Sequence, residues 1–357
     1  MSQHINITTA ERSRATEHDI NNTSMGKIFT DHMFICDYQD GEWRNPRIEP
    51  LALIPTHPAA MALHYGQAIF EGLKATMGQD GPLLFRPDEN AKRLNVSANR
   101  MGMPDFPEEL FVEGLKALVA VDHEWVPTSE GSALYLRPFM YADEAFIGMR
   151  AATSYKFIIM ASPAGPFFNR PIRLYAEQKY VRAVNGGTGE AKAAGNYAAA
   201  IRPTEYAKAQ GYDQVLWLDA HNFEYIQEVG TMNIFFKIGG KFVTPNLSGS
   251  VLAGITRMSV IDLLRDKDYE VEERAIKISE IREASENKTL EEAFGVGTAV
   301  GIAIIEEIGN NDFTIKLPRE TPVATDLNET LANIRRQRAE DKFGWMVPVE
   351  SYSPQPR

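Results

Sequence analysis

Cysteine is almost missing from this chain of 357 residues, in which Cys36 is the only one. A single cysteine excludes an internal disulfide and a cysteine metal cluster, so the composition is typical of a reducing compartment, and we expect a cytoplasmic protein. The seven histidines are scattered, without a His-Glu-x-x-His or comparable spacing. We therefore expect no metal site.

Long apolar runs and an excess of positive charge are missing as well. The most apolar stretch, residues 294–305, is 12 residues long and contains three glycines, whereas a membrane-spanning helix needs about 20 apolar residues. Asp and Glu number 48 against 37 Lys and Arg, which gives a net charge of -11. We expect neither a membrane span nor nucleic-acid binding. The first twenty residues include acidic side chains and no apolar core, so no secretory signal or transit peptide is expected.

The composition is that of a folded globular protein with about two domains. Hydrophobic residues make up 44% and charged residues 24% of the chain, and its length fits about two domains of ordinary size. The segment 162–171 contains three prolines and one glycine, which stop both helices and strands. Helical and strand patterns alternate on both sides of it. The sequence therefore predicts a mixed α/β (α+β) protein divided at this segment.

Local patterns predict several elements of the second half. Strands at 233–238 and 241–244 flank Gly239-Gly240, a two-residue turn that suits a β-hairpin. A helix is expected to begin at Gly254-Ile255-Thr256, and a last helix is expected over about 326–339.

A glycine-rich segment, Gly295-Val296-Gly297-Thr298-Ala299-Val300-Gly301, invites comparison with dinucleotide-binding loops. Its third glycine is one residue late and no helical pattern follows, so the segment does not fit that motif. The alternative function of a nucleotide-binding oxidoreductase would be supported by this segment alone. We expect instead a tight turn whose backbone amides face an anion.

The window around Lys192 is the most unusual in the chain. Small residues surround this lysine, leaving space for a flat ligand beside its amine; a flexible solvated loop is the alternative. Tyr197 follows five residues later, and Glu228 precedes an apolar strand. Lysine can form an imine, a carboxylate can pair with a pyridinium nitrogen, and the helix beginning at Ile255 can bind a phosphate. Together these groups indicate a pyridoxal-phosphate site.

Motifs along most of the chain carry a family resemblance. They include Phe29-Thr30-Asp31-His32-Met33, Phe70-Glu71-Gly72-Leu73-Lys74-Ala75, Tyr135-Leu136-Arg137-Pro138, Tyr180-Val181-Arg182-Ala183, Asn233-Ile234-Phe235 and Leu252-Ala253-Gly254-Ile255-Thr256-Arg257. The chain resembles the class IV, or fold-type IV, aminotransferases, and within them the branched-chain amino-acid aminotransferases of the longer, eukaryotic-like type.

The resemblance implies a fold and a domain division. The polar composition of the first residues predicts a flexible N-terminal arm (1–27). The resemblance predicts a smaller α/β domain (28–165), an interdomain loop over the cofactor (166–177) and a larger pyridoxal-phosphate-binding domain (178–357). It also implies a homodimer or a larger homo-oligomer, in which Tyr135 and Arg137 belong to a loop that covers the neighbouring subunit's pocket.

The resemblance further assigns roles to individual residues. Lys192 would form the imine with pyridoxal 5'-phosphate, Glu228 would lie beside the pyridine nitrogen, and Tyr197 would bind the phenolate oxygen of the ring. The phosphate cradle would contain Arg86, Arg182, Ile255, Thr256 and Thr298. The substrate pocket would contain Phe29, Tyr65, Tyr135, Arg137, Phe167 and Ala299.

The implied activity is ping-pong transamination of L-leucine, L-isoleucine and L-valine with 2-oxoglutarate. A D-amino-acid aminotransferase or an aminodeoxychorismate lyase of the same fold is the alternative. Two departures from relatives stand out. Val300 and Ala303 occupy the positions of a Cys-x-x-Cys pair in mammalian relatives, so thiol redox control is not expected there. Phe167 replaces a common tyrosine and removes one hydroxyl from the pocket wall.

Overall fold

A computed structural model of the chain describes residues 4–165 and 170–352, so Phe167 lies outside the described residues. The chain forms two units, the first comprising residues 1–167 and 331–357 and the second residues 168–330. The predicted two-part, mixed α/β architecture is confirmed. The division itself differs from the prediction, because the C-terminal segment belongs to the first unit and makes it the larger one.

The elements follow one another along the chain as strands and short helices. In residues 4–165 they are β1 (Asn6–Ile7), β2 (His32–Gln39), β3 (Glu42–Pro50), α1 (Met61–Tyr65), β4 (Ala68–Phe70), β5 (Leu73–Met77), β6 (Pro82–Phe85), α2 (Pro87–Arg100), α3 (Glu108–Val121), β7 (Ala133–Ala142) and β8 (Tyr155–Ala164). In residues 170–352 they are β9 (Ile172–Ala176), α4 (Ala194–Ala209), β10 (Gln214–Leu218), β11 (Ile226–Val229), β12 (Asn233–Ile238), β13 (Lys241–Thr244), α5 (Ile255–Asp266), β14 (Val271–Glu273), α6 (Ile278–Glu286), β15 (Leu290–Gly297), β16 (Gly301–Gly309), β17 (Thr314–Lys316), α7 (Pro322–Arg335) and β18 (Met346–Pro348).

The first unit is built on a nine-stranded sheet in the order β1-β3-β2-β8-β7-β5-β6-β18, with β4 paired to β7. Strands β7 and β8 pair antiparallel along their whole length, from Ala133 opposite Ala164 to Ala142 opposite Tyr155. Both strands are mostly buried, and the apolar face of α3 adds Leu115 and Leu118 to the core. This long central ladder gives the unit a rigid surface.

The N-terminal arm is not the flexible segment predicted from its polar composition. Its strand β1 pairs parallel with β3. Farther along, the Nε of Arg14 donates to Asp31 Oδ1 at 2.8 Å, and the side-chain oxygen of Asn21 accepts the backbone N–H groups of Thr128 and Ser129 at 3.0 Å. Polar side chains that would be solvated in an isolated arm are here hydrogen-bonded to the body of the first unit.

The C-terminal segment joins the first unit through a strand and a buried guanidinium. Strand β18 pairs antiparallel with β6. Arg336, 7% exposed, donates to the carbonyls of Thr128, Ser129 and Ser132. These contacts join residues more than two hundred positions apart, which local sequence patterns cannot reveal.

The second unit contains another nine-stranded sheet, in the order β11-β10-β9-β16-β15-β12-β13-β14, with β17 paired to β16. Residues 172–176 form β9, a strand within the span 166–177 assigned to the interdomain loop. Strand β9 runs parallel to both β10 and β16 near the middle of the sheet. The apolar sequence of β9, with Ile172, Leu174 and Ala176 fully buried, explains this central position.

Two predicted features of the second unit are confirmed. Strands β12 and β13 form the expected hairpin, and its turn residues Gly239 and Gly240 have φ values of +56° and +83°, a region that favours glycine. Helix α5 begins at Ile255 with Gly254 as its N-cap residue. The last helix, α7, begins and ends about four residues earlier than expected.

No helix in the described ranges 4–165 and 170–352 combines the length and the apolar character needed to cross a membrane.

Candidate active site

Lys192 lies in a loop of the second unit that a single asparagine holds in place. The side-chain amide of Asn196 donates to the carbonyls of Thr188 and Ala191, both at 2.8 Å, and its oxygen accepts the Thr188 hydroxyl at 2.7 Å. No role was predicted for Asn196. Its three hydrogen bonds connect the loop to the first turn of α4 and fix the backbone on either side of Lys192.

The amine of Lys192 is directed at a phenol. Its Nζ donates to the Tyr197 hydroxyl at 2.8 Å, and the lysine is half-buried between the buried residues Ala191 and Ala193. The spacing of five residues brings the two side chains together because Tyr197 lies in the first turn of α4. These contacts contradict the alternative of a flexible solvated loop.

Glu228 lies on β11 and is only 4% exposed. Its Oε1 accepts the Leu252 backbone N–H at 2.7 Å, and Asn233 Nδ2 lies 3.4 Å from the same oxygen. Its Oε2 lies 3.1 Å from the Nε of Arg182, whose side chain is also buried. A buried carboxylate is costly without a partner, and here a guanidinium balances its charge.

Arg182 was assigned to the phosphate, and the structure places it beside Glu228. One of its terminal nitrogens donates to the Ser250 carbonyl, in the loop that leads to α5. The guanidinium therefore lies between a carboxylate and the chain segment that precedes a helix N-terminus. From this position its positive charge acts on the same cleft that Glu228 lines.

The N-terminus of α5 supplies backbone N–H groups that have no partner within the helix. Ile255 and Thr256 are its first two residues, both are buried, and no acidic residue occupies the first turn. The first N–H groups of a helix have no partner within it and attract anions. Gly254 at the N-cap leaves room for Asn233, because a Cβ there would lie 1.9 Å from the Asn233 side-chain oxygen and would displace it.

The glycine-rich segment forms a hairpin. Strands β15 and β16 pair antiparallel, and residues 298–300 form the turn between them, followed by Gly301 with φ of +77°. Thr298 and Ala299 are thus turn residues, as expected. No helix follows the glycines, so the arrangement contradicts a nucleotide-binding oxidoreductase.

An open cleft in the second unit is lined by several of these groups. Among its lining residues are Arg182, Asn196, Tyr197, Glu228, Asn233 and Leu252. A phenol, a buried carboxylate and a cation lie along the cleft, and the phenol is bonded to the amine of Lys192. This set fits pyridoxal phosphate, whose aldehyde, phenolate oxygen, ring nitrogen and phosphate need one such group each.

The first unit contains a second cavity, which we call the Arg137 cavity. It has a volume of about 180 Å³ and is lined by Met25, Gly26, Phe29, Tyr135, Arg137, Met160, Ala161 and Ser162. Arg137 donates to the Tyr135 hydroxyl at 3.1 Å, and its guanidinium lies 4.6 Å from the centre of the Phe70 ring. Its Nε is buried without a hydrogen-bond partner in the described part of the chain. A guanidinium among apolar walls suits an aliphatic side chain and a carboxylate alike.

The predicted site residues of the first unit lie on different elements of that unit. Tyr135 and Arg137 lie on strand β7, not in a loop, and their cavity is shared with Phe29 of the same chain. Tyr65 ends α1 and is 39% exposed. Arg86 is the N-cap residue of α2, and its guanidinium lies 5.3 Å from the centre of the Trp345 ring.

Several residues that support or line the two sites were not predicted. These are Asn196, Asn233, Leu252 and Ser250 in the second unit and Met25, Gly26 and Ser162 in the first. Asn196 and Asn233 lie within the sequence segments that predicted the site, so their side-chain amides were a visible signal. The backbone groups of Leu252 and Ser250 carry no such signal. Within the described residues no group of three or more His, Cys, Asp or Glu side chains is arranged to hold a metal ion.

Comparisons with known proteins agree with this geometry. The sequence matches the profile of the amino-transferase class IV family over residues 68–308. It is 47% identical over 338 residues to branched-chain-amino-acid aminotransferase 2 of Bacillus subtilis (strain 168), with 93% of each chain covered. It is 43% identical over 338 residues to the branched-chain-amino-acid aminotransferase of Mycolicibacterium smegmatis, covering 91% of this chain and 92% of that one.

Solved structures show the same fold. The branched-chain amino acid aminotransferase of Escherichia coli has a TM-score of 0.75 and 25% identity, covering 90% of this chain and 99% of that chain. The T.th. branched-chain amino acid aminotransferase, solved in complex with N-(5'-phosphopyridoxyl)-L-glutamate, has a TM-score of 0.73 and 26% identity, covering 88% of this chain and 98% of that chain.

Proposed function

Because the chain belongs to the class IV aminotransferases, and within them to the branched-chain-amino-acid aminotransferases, we propose that it transfers the amino group of L-leucine, L-isoleucine or L-valine to 2-oxoglutarate. The products are the branched-chain 2-oxo acids and L-glutamate. One observation carries the proposal: the amine of Lys192 is hydrogen-bonded to Tyr197, and Tyr197 lines the same cleft as the buried Glu228. The D-amino-acid aminotransferase and aminodeoxychorismate lyase alternatives are not favoured by the relatives.

Pyridoxal phosphate is the cofactor of this proposed reaction. Lys192 would hold its aldehyde carbon, Glu228 its ring nitrogen and Tyr197 its phenolate oxygen. The phosphate would be held by Arg86, Arg182, the amides of Ile255 and Thr256, and Thr298. When bound, the cofactor supplies a ring that takes up the negative charge left as the amino donor loses its Cα proton.

Lys192 is the proposed base. Its Nζ would remove the Cα proton of the amino donor and would then deliver a proton to the carbon that carried the cofactor's aldehyde, so one side chain acts as base and then as acid. The Tyr197 hydroxyl, 2.8 Å from Nζ, keeps the amine in the cleft during this transfer. Positioning of this kind replaces a random encounter between base and substrate.

Glu228 supplies a fixed negative charge to the end of the cleft. Its hydrogen bond from Leu252 and its contact with Arg182 hold the carboxylate in one orientation. A negative neighbour favours the protonated form of a ring nitrogen. Because the carboxylate is buried, its effect is not screened by water.

The Arg137 cavity is the proposed site for the substrate side chain. Phe29 and Tyr135 supply apolar surface for a branched side chain, and the Arg137 guanidinium supplies a partner for the second carboxylate of glutamate or 2-oxoglutarate. We assign Tyr65, Phe167 and Ala299 to the same pocket and the α-carboxylate to the turn amides of Thr298 and Ala299, as the resemblance implies.

We also propose that the enzyme works as a homodimer or a larger homo-oligomer. The support is the resemblance together with apolar side chains that an isolated chain leaves exposed. Leu63 is 66% exposed, and Ile147 and Met149, two positions apart, are 70% and 94% exposed. Exposed apolar patches are typical of interaction surfaces.

The proposed activity predicts a colour change. The purified protein loaded with pyridoxal phosphate is expected to be yellow, to lose its visible absorption band when L-leucine is added, and to regain it with 2-oxoglutarate. Absorbance spectra recorded after each addition test this. D-alanine and aminodeoxychorismate serve as comparison donors: bleaching by either of these and not by L-leucine would replace the proposal with one of its alternatives.

Gly72 is predicted to control the position of Tyr135. A Cβ at residue 72 would lie 2.1 Å from the Tyr135 hydroxyl oxygen, so Gly72→Ala must displace that ring from the Arg137 cavity. We expect the KM for L-leucine to rise about tenfold, because a pocket wall moves. Steady-state kinetics of Gly72→Ala, Tyr135→Phe and the double variant measure this.

The double variant provides the control. If displacement of the hydroxyl is the cause, the effect of Gly72→Ala becomes smaller when Tyr135 is already phenylalanine. Equal effects in both backgrounds would show that residue 72 acts through something other than the hydroxyl.

A further inference from the structure

The two sides of the Arg137 cavity are held very differently. Tyr135 and Arg137 lie on β7, and residues 160–162 on β8, within a ladder of ten residue pairs. The opposite side, residues 25–29, lies outside regular secondary structure. A wall without strand or helix partners depends on individual hydrogen bonds for its position.

Few bonds hold this irregular wall directly. The Gly26 N–H donates to the Ser162 hydroxyl at 2.9 Å, and the Thr30 N–H donates to the Ala161 carbonyl at 3.1 Å. Phe29 lies between these two points, and its ring faces the cavity together with Met25. The backbone of Phe29 therefore needs a further contact if its ring is to stay in one place.

Arg14 of the N-terminal arm makes that contact. Its Nη2 donates to the Thr30 carbonyl at 3.2 Å and lies 3.5 Å from the Phe29 carbonyl. Its Nε donates to Asp31 Oδ1 at 2.8 Å, and its backbone N–H donates to Asp31 Oδ2 at 3.1 Å. One planar guanidinium thus binds three consecutive residues, which the shape of arginine allows.

Asp31 makes this arrangement stiff. It is 5% exposed, and Trp125 Nε1 donates to its Oδ2 at 2.7 Å. Burial alone would raise the pKa of the Asp31 carboxyl, but the hydrogen bonds from Trp125 and Arg14 outweigh it and hold that pKa below its ordinary value. The carboxylate is therefore charged at neutral pH and binds Arg14 as an ion pair.

The arm has other anchors that do not involve Arg14. The Ala10 N–H donates to His32 Nε2 at 2.8 Å, and His32 Nδ1 lies 2.6 Å from Asp122. Asn21 accepts two backbone N–H groups farther along. Removing the Arg14 side chain therefore leaves these anchors in place and removes its contacts with residues 29–31 and with the Trp125 ring, 5.9 Å from the guanidinium.

We propose that Arg14 is a positioning residue for the amino donor: by binding the backbone of Phe29 and Thr30 and the carboxylate of Asp31, it fixes the apolar wall of the Arg137 cavity. This inference rests on the proposed function, in which that cavity holds the substrate side chain. A displaced Phe29 weakens binding of an apolar side chain, whereas a glutamate side chain keeps the Arg137 guanidinium as its partner.

The test compares two arginines of the same arm. Arg12 is exposed and pairs with Glu17 at 2.9 Å, so Arg12→Ala removes the same side chain without touching residues 29–31. For Arg14→Ala we expect the KM for L-leucine to rise about fivefold, a loss of the size that one misplaced apolar contact produces. We expect kcat, the absorbance of the bound cofactor and the KM for L-glutamate to stay within about twofold, since no group at the reacting atoms changes.

Arg14→Lys is the second variant. Lysine keeps the ion pair with Asp31 but lacks the planar fork that binds the carbonyls as well, so its KM for L-leucine is expected between those of the wild type and Arg14→Ala. It also carries the test if Arg14→Ala does not fold.

Each result decides one point. A preference for L-leucine over L-glutamate that falls in Arg14→Ala and not in Arg12→Ala supports the inference. Equal behaviour of the two alanine variants overturns it, and so does an equal loss with both donors or a loss of bound cofactor, since these indicate a structural role. If the wild-type protein does not react with L-leucine, the proposed function fails instead, independently of Arg14.

Discussion

Replacing Lys192 by alanine is expected to lower the rate of transamination at least about a thousandfold, the range spanned by a positioned acid–base group. The variant loses the amine that moves the Cα proton, and none of the described residues that line the cleft is a lysine that could replace it. The measurement is kcat with L-leucine and 2-oxoglutarate, together with the visible spectrum of the protein after addition of pyridoxal phosphate. We expect the lysine-dependent band to be absent.

Lys208→Ala is the matched control for this experiment. Lys208 lies on α4, in the same unit, and its amine pairs with Glu205 at 2.9 Å on the surface. Its removal should leave both the rate and the spectrum unchanged. A Lys192→Ala protein with the spectrum and rate of the control would contradict the role proposed for Lys192.

The second large effect is expected for Glu228→Gln. Glutamine has the size of glutamate, so the hydrogen bond from Leu252 remains possible, but the negative charge is lost. We expect kcat to fall about a hundredfold, which is typical for loss of one preorganised electrostatic group. The change also leaves the buried guanidinium of Arg182 without its counter-charge, so the thermal midpoint of unfolding should fall as well.

Two further variants separate charge from structure at Glu228. Glu228→Asp keeps the charge and should retain more activity than Glu228→Gln. Glu224→Gln removes a carboxylate that pairs with Lys277 at 3.0 Å on the surface and is expected to change neither rate nor stability. If Glu228→Gln and Glu224→Gln have the same kcat, then Glu228 does not act through its charge.

For the second unit, the sequence predicted the reactive residues better than the contacts that hold them in place. Lys192, Tyr197 and Glu228 were found from residue type and local context, and the structure places Tyr197 and Glu228 on one cleft with the lysine amine bonded to the phenol. The ion pair between Arg182 and Glu228 was not predicted. Their positions differ by 46 residues in the sequence, and periodicity carries no information over that distance.

The N-terminal arm shows how composition misleads. Its Thr, Ser and Asn residues are as typical of a docked arm as of a mobile one, because the same side chains hydrogen-bond to water or to protein. Docking depends on Asp31 and Asp122, which are buried in the first unit and accept hydrogen bonds from Arg14 and His32. Only the folded chain brings these partners together.

The sequence by itself determined the mixed α/β class, the hairpin at Gly239-Gly240, the start of α5 and the identity of the reactive groups, because each is visible in residue type or in a local pattern. The tertiary structure alone decided that residues 331–357 belong to the first unit, that β9 lies inside a sheet, and that Gly72 faces Tyr135. These features depend on contacts between residues far apart in the chain, where the free energy of packing and burial, not local propensity, selects the partner.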